Sequence, residues 1–232
     1  MSHAIIVAHG QPSDPDPAEA ALAAFAAKVE ALTDSVTVHS ATLAKPGALE
    51  VKLDSFPENA VIYPLFMAKG WFVTSALPKR VGDHAAQILD PLGIDPDLPT
   101  LTALALRAKL LEEHWDASAT DLVIAAHGSG RSRNPSVVAN EFATQLAKKI
   151  AFQSIRVGFV EEPPSISEAA RDASEQAICL PFFACAGGHA LEDVPEELER
   201  AQFKGIVMPV VGELAPIQNQ IAKKVTEAFE SV

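Results

Sequence analysis

Two histidines and a glutamate in the C-terminal half of the chain, His127, Glu161 and His189, are the side chains best equipped for chemistry. Each follows an apolar run that reads as a β-strand. His127 comes directly after Leu122–Ala126, Glu161 after Ile155–Val160, and His189 in a loop beyond Ala177–Phe183. Two imidazoles and one carboxylate form a borderline donor set, suited to cobalt, iron, nickel or zinc rather than calcium or magnesium. Three protein ligands leave coordination positions open, as a site that takes up and passes on a metal requires. Gly128 and the pair Gly187 and Gly188 flank the histidines and let backbone approach a bulky ligand closely. Taken singly, each residue has a plain structural role, since a histidine at a strand end commonly hydrogen-bonds within the fold and a glutamate there is usually solvated. The convergence of three ligand types on one sheet edge is what points to a metal.

That edge has to be built by the surrounding elements. The runs Leu122–Ala126, Ile155–Val160, Ala177–Phe183 and Gly205–Val211 are near-continuously apolar, as parallel strands covered on both faces are. Val137–Ile150, Ser165–Ser174, Glu192–Ala201 and Pro216–Glu230 read as helices between and after them. Alternating strands and helices imply right-handed crossovers and a doubly wound α/β sheet. Ligands of such sheets bind beyond the carboxyl ends of the strands, where the three residues fall.

The chain is also written twice. IIVAHGQPSDP near the start returns as LVIAAHGSGRSRNP from Leu122, and PLFMAKGWFVTSALP from Pro64 returns as PFFACAGGHALEDVP from Pro181. The second pair sets Gly70 against Gly187 and Pro78 against Pro195, an offset of 117 residues without a gap, and the same offset sets Pro46 against Pro163. First-half strands are expected near Ala4–Ala8, Val36–Thr42 and Ala60–Phe66. The expectation is two similar α/β lobes facing a cleft, residues 1–117 and 118–232. The repeat supplies an internal comparison. Phe72 stands where His189 does, Ala44 for Glu161, Ser75 for Glu192 and Ala76 for Asp193, while His9 alone matches its counterpart, His127. A single site in the second lobe follows, with His9 vestigial or structural. Phe66, Met67, Trp71 and Phe72 then either offer an apolar wall to a ligand or pack as core or lobe interface.

Composition narrows the class. At 232 residues and 48% apolar, the chain can bury a substantial core, and a formal charge of −12 argues against a nucleic-acid partner. The opening MSHAIIVAHG lacks the cationic start and long apolar run of a secretory signal, and no stretch is long enough for a membrane span. Cys179 and Cys185 give no disulfide framework, so a soluble cytoplasmic protein is expected. No GxxxxGK[ST] phosphate loop is present, so ATP is not expected to drive the chemistry.

The motifs AHGS (Ala126–Ser129), FVEEP (Phe159–Pro163) and PFFACAGGHALEDVP (Pro181–Pro195) resemble those of the class II tetrapyrrole chelatases, in particular the CbiX-type sirohydrochlorin chelatases. The resemblance covers essentially the whole chain, because a duplicated two-lobe form is known in the superfamily that includes ferrochelatase. It implies a lyase that inserts cobalt or iron into sirohydrochlorin or a close relative, in cobalamin or siroheme biosynthesis. His127 and His189 would be the catalytic pair and would hold the metal with Glu161, Glu162 being the adjacent alternative. The divalent metal would enter as a substrate, with no tightly bound cofactor. Ser129, Arg131, Arg133, Gly187 and Gly188 would bind the carboxylate-rich macrocycle, with Lys69, Lys79 and Arg80 contributing from the first lobe. Glu192 and Asp193 would relay protons, attract the metal, or simply place negative charge at a helix start. A duplicated chain can form alone the cleft that a half-length protein needs a dimer to build, so a monomer is expected. Two other readings compete. One is a metal or tetrapyrrole carrier with the same ligands and no turnover. The other is a hydrolase or phosphohistidine-type enzyme with His127 as nucleophile, which lacks the RHG signature and the G-x-S-x-G elbow and leaves the duplication unexplained.

Overall fold

The computed structural model describes residues 2–56, 59–130 and 134–230. The first copy runs β1 (Ser2–Ala8), α1 (Pro15–Glu30), β2 (Val36–Thr42), α2 (Ala48–Ser55), β3 (Ala60–Pro64), a π-helical turn (Phe72–Ala76) leading into α3 (Leu77–Val81), β4 (Ala86–Ile88) and α4 (Leu98–Glu112). The second runs β5 (Asp121–Ala126), α5 (Asn134–Ala147), β6 (Ser154–Phe159), α6 (Ile166–Ala170), β7 (Ala177–Pro181), a π-helical turn (His189–Asp193) leading into α7 (Val194–Arg200), β8 (Ile206–Val207) and α8 (Ala215–Glu230). Each copy forms its own four-stranded parallel sheet, ordered β2-β1-β3-β4 and β6-β5-β7-β8.

The strand sequences explain why both sheets are covered on two faces. All six residues of β5 are buried, and fully burying Leu122, Val123 and Ile124 contributes roughly 1.5–3 kcal/mol each. Val123, Ala125 and Cys179 pack with Ile166, Ala169 and Ala170 of α6 and Val194 and Leu198 of α7. On the other face Phe142 of α5 lies against Phe182, ring centroids 4.5 Å apart. The loops after β5 and β7 therefore lead to helices on opposite faces, which makes the gap between these neighbours the switch point of the sheet. Local signals set the helix starts. Ser165 and Glu168 form a reciprocal capping box at α6, and Pro78 and Pro195 occupy the first turns of α3 and α7. In the first copy, Ile5, Val7, Ala41 and Ile62 pack with Leu49, Leu53, Leu77 and Val81 of α2 and α3.

Three expectations are corrected. The run Gly205–Val211 pairs only over Ile206–Val207, after which the chain enters a 3-10 turn at Val211–Glu213. The helix expected from Glu192 is preceded by a π-helical turn that already contains His189, which is therefore not a loop residue. A short strand, β4, lies in the first half beyond the three strands expected there. The contacts also group residues differently from the sequence halves 1–117 and 118–232. One unit comprises Met1–Asp95 with Gln218–Val232, and the other Pro96–Ile217. Thus α4 follows the first sheet in sequence but belongs to the second unit, packing on α5, and most of α8 belongs to the first unit. Its buried residues Ile217, Ile221, Val225 and Ala228 recur at helical spacing. No helix among the described residues is long and apolar enough to cross a membrane.

At the amino end of β5, Asp121 is 2% exposed and ties three segments together. It accepts hydrogen bonds from the Ser154 hydroxyl at 2.5 Å, the Ser174 amide at 2.8 Å and the Arg156 guanidinium at 3.4 Å. Burial alone would raise its carboxyl pKa. The bonds from Ser154 and Ser174, with the charge of Arg156, outweigh that and hold it below the ordinary value. A depressed native pKa stabilises the fold above the unfolded carboxyl pKa of about 4, and this contribution is lost as pH falls through the native value. Asp121→Asn should cost about 1–3 kcal/mol at pH 7 by urea unfolding. The gap to wild type should narrow towards pH 3, and a gap independent of pH would contradict the assignment.

Candidate metal centre

Pairing between β5 and β6 continues one step past the strands. The Val160 amide donates to the Ala126 carbonyl and the Glu161 amide to the His127 carbonyl, each at 3.0 Å. This rung sets Glu161 beside His127 before either side chain is considered. The chain then turns sharply at Gly128, whose φ is +67°. A β-carbon there would fall 2.8 Å from the Glu162 carboxylate and 2.9 Å from the Phe159 side chain, so both conformation and space call for glycine. The Glu162 carboxylate is engaged by the Ser129 amide at 2.8 Å. The two adjacent glutamates are thereby separated, with Glu161 grouped with the histidines and Glu162 holding the backbone behind them.

His189 opens its π-helical turn four residues before Asp193, and its Nδ1 lies 2.6 Å from the Asp193 carboxylate. The Nδ1 of His127 lies 2.8 Å from the Gly128 carbonyl oxygen. Both acceptors take a proton from Nδ1, so the lone pair of each neutral ring is left on Nε2. The two rings meet edge to face, centroids 4.3 Å apart. Ligand atoms of His127, Glu161 and His189 all lie within 4.8 Å of one another, His127 Nε2 and Glu161 Oε1 being 3.9 Å apart. Tetrahedral bonds of about 2.1 Å would place such atoms roughly 3.4 Å apart. The side chains are 40–46% exposed, so small rotations suffice to close them on an ion.

The other expected residues separate into groups. Around Gly187 and Gly188 an added β-carbon would meet nothing, so this loop presents open backbone. Arg131 and Arg133 lie outside the described residues, and Ser129 is placed by its amide bond to Glu162. Lys69 pairs with Asp90 at 2.7 Å and Arg80 with Glu50 at 3.7 Å within the first unit, while Lys79 is exposed. Of the acidic pair, Asp193 engages His189 and Glu192 is exposed. Burial, with Glu213 nearby, pushes the Cys185 thiol up to about 11, so it is not a thiolate ligand near neutrality. In the sequence alone, Asp193 stands out only as half of an acidic pair with Glu192. Its spacing of four from His189 was the available signal, once both are known to share one helical turn.

The first unit repeats the backbone but keeps only one of the three ligand positions, His9. Leu43 and Ala44 donate to the carbonyls of Ala8 and His9 at 2.9 and 2.8 Å, and Gly10 turns with φ +78°. His9 packs on Phe72 with centroids 4.3 Å apart, the spacing of the two histidines in the second unit.

A family model described as CbiX matches residues 121–228, a span holding all three ligand candidates. A sirohydrochlorin cobaltochelatase of Sulfurisphaera tokodaii is 30% identical over 116 residues, 48% of this chain and 92% of that protein. A solved structure described as CbiX, the terminal enzyme for biosynthesis of siroheme in denitrifying bacteria, is 44% identical with a TM-score of 0.85. That match covers 97% of this chain and 99% of the other. The sirohydrochlorin chelatase SirB from Bacillus subtilis subspecies spizizenii, solved with cobalt, shares the fold at 15% identity and a TM-score of 0.69, over 100% of this chain and 97% of that one.

If Asp193 holds the His189 ring, Asp193→Ala should weaken cobalt(II) binding about tenfold or more in competition with a chelator. Unaltered affinity would deny it that part.

Proposed function

The chain belongs to the CbiX family of class II tetrapyrrole chelatases, and we propose that it inserts cobalt(II) or iron(II) into sirohydrochlorin or a close relative without ATP. One observation carries this reading. One ligand atom from each of His127, Glu161 and His189 lies within 4.8 Å of the others on the open edge of the second sheet, and the Nδ1 atoms of both histidines have acceptors of their own. The borderline donor set accommodates either metal, and three ligands leave room for exchange.

Metallation releases two pyrrolic protons for each divalent ion bound, while the ion sheds its previous ligands. His127, Glu161 and His189 would hold the incoming ion against one face of the macrocycle. As the ion leaves for the ring, the imidazoles of His127 and His189 become free to accept the two pyrrole protons, one each. The Asp193 carboxylate on His189 Nδ1 then stabilises the imidazolium formed. Glu192, exposed within the same turn, is a route for protons to solvent. Gly187 and Gly188 let the edge of a broad ring approach the backbone, and Ser129, Arg131 and Arg133 are assigned to its carboxylates. The metal is a substrate in this scheme and no resident cofactor is required.

The test is anaerobic metallation of sirohydrochlorin followed by absorbance with cobalt(II) or iron(II). Wild type should turn over many times above the spontaneous rate. His127→Ala and His189→Ala should each lose at least about a hundredfold, the scale of general acid–base contributions. One metallation per chain with tight retention would replace the enzyme with a carrier, and comparing the two metals assigns the preference.

A further inference from the structure

We propose that Glu213 is a positioning residue for the metal centre, fixing the loop that presents His189. Three contacts join the chain after β7 to the turn Val211–Glu213. The Gly212 amide donates to the Phe183 carbonyl at 3.1 Å. The Gly212 α-carbon lies so close to Ala184 that a β-carbon would fall 1.8 Å from its carbonyl oxygen. The third contact is the Ala186 amide donating to the Glu213 carboxylate at 3.3 Å.

The first unit separates fold from function here. Its Gly93 amide donates to the Phe66 carbonyl at 3.0 Å, and a β-carbon on Gly93 would fall 1.8 Å from the Met67 carbonyl oxygen. These reproduce the first two contacts, so they belong to the fold. The third has no counterpart, because Ile94 follows Gly93 where Glu213 follows Gly212. The carboxylate is found in the unit that carries the ligand set, and an apolar side chain replaces it where Phe72 replaces His189.

Position in the loop explains why that acceptor matters. Ala186 precedes Gly187 and Gly188, whose surroundings are open, and His189 follows directly. Two glycines leave the backbone with little conformational restraint of its own. Gly187 is bonded within the turn itself, its carbonyl accepting from the Leu191 amide at 3.0 Å. Among the described residues the Ala186 amide therefore makes the last backbone bond on the amino-terminal side that ties the ligand's turn to the rest of the unit, and Asp193 anchors the ring beyond it. In this role Glu213 acts through the Ala186 backbone rather than as a ligand, and restricts where His189 is presented.

The inference rests on the metal centre proposed above, and metal titration tests it without needing turnover. Cobalt(II) affinity by chelator competition and the visible ligand-field spectrum are measured for Glu213→Ile, the first-unit residue, and Glu213→Gln, which keeps an acceptor oxygen. Thermal unfolding is checked alongside, with Glu213→Ala used if the isoleucine variant does not fold. The isoleucine or alanine variant should lose about tenfold in affinity with an altered spectrum, while the glutamine variant stays near wild type. In a His189→Ala background the apolar substitution should cost nothing further. Wild-type affinity in the apolar variant, or an equal loss in the His189→Ala background, overturns the proposal. Wild type that binds cobalt but fails to metallate sirohydrochlorin would remove the chelatase reading and leave this inference standing.

Discussion

One backbone rung, the Glu161 amide on the His127 carbonyl, is the constraint on which the metal centre depends. It extends a register already set by Ala126 against Phe159, so β5 and β6 cannot slip without parting the two ligands. The third ligand comes from the opposite neighbour of β5, and so the order β6-β5-β7 itself gathers the set. Nothing about the side chains alone would achieve this. An imidazole and a carboxylate on flexible stems gain metal affinity only when the scaffold has already restricted them.

Around that rung, each ligand has a separate restraint. The Gly128 carbonyl orients His127, Asp193 orients His189, and Glu162 fixes the backbone behind the first histidine through Ser129. The first unit keeps His9 in the place of His127 but lacks the other two ligands and two of these supports, since Lys45 stands in the place of Glu162 and Ala76 in that of Asp193. What it retains is the part that folding needs: the same pairing past the strand ends, the same left-handed glycine and the same π-helical turn. The two copies thus distinguish residues kept for the sheet from residues kept for chemistry.

How far the amino-acid order reveals this differs from residue to residue. His127 was legible because it ends an unbroken apolar run that reads as a central parallel strand. Glu161 and Glu162 were not separable, since neighbours in extended chain point opposite ways and only the turn at Gly128 decides which faces the histidines. His189 reads as a loop residue because i+5 hydrogen bonding has no compositional signature; the residues HALED would serve an ordinary helix equally well. The partition of helices was also hidden. Apolar spacing in α8 shows that one face must be covered, but periodicity carries no information about which sheet covers it.

That partition bears on the order in which the molecule is made. Residues 96–217 are contiguous, so the unit with the ligand set is complete in sequence before residues 218–232 of its predecessor are translated. The part translated first is therefore the part completed last. During synthesis, the surface awaiting Ile221, Val225 and Ala228 of α8 stays open until the final turns emerge, which makes the earlier unit the one most in need of protection from premature association.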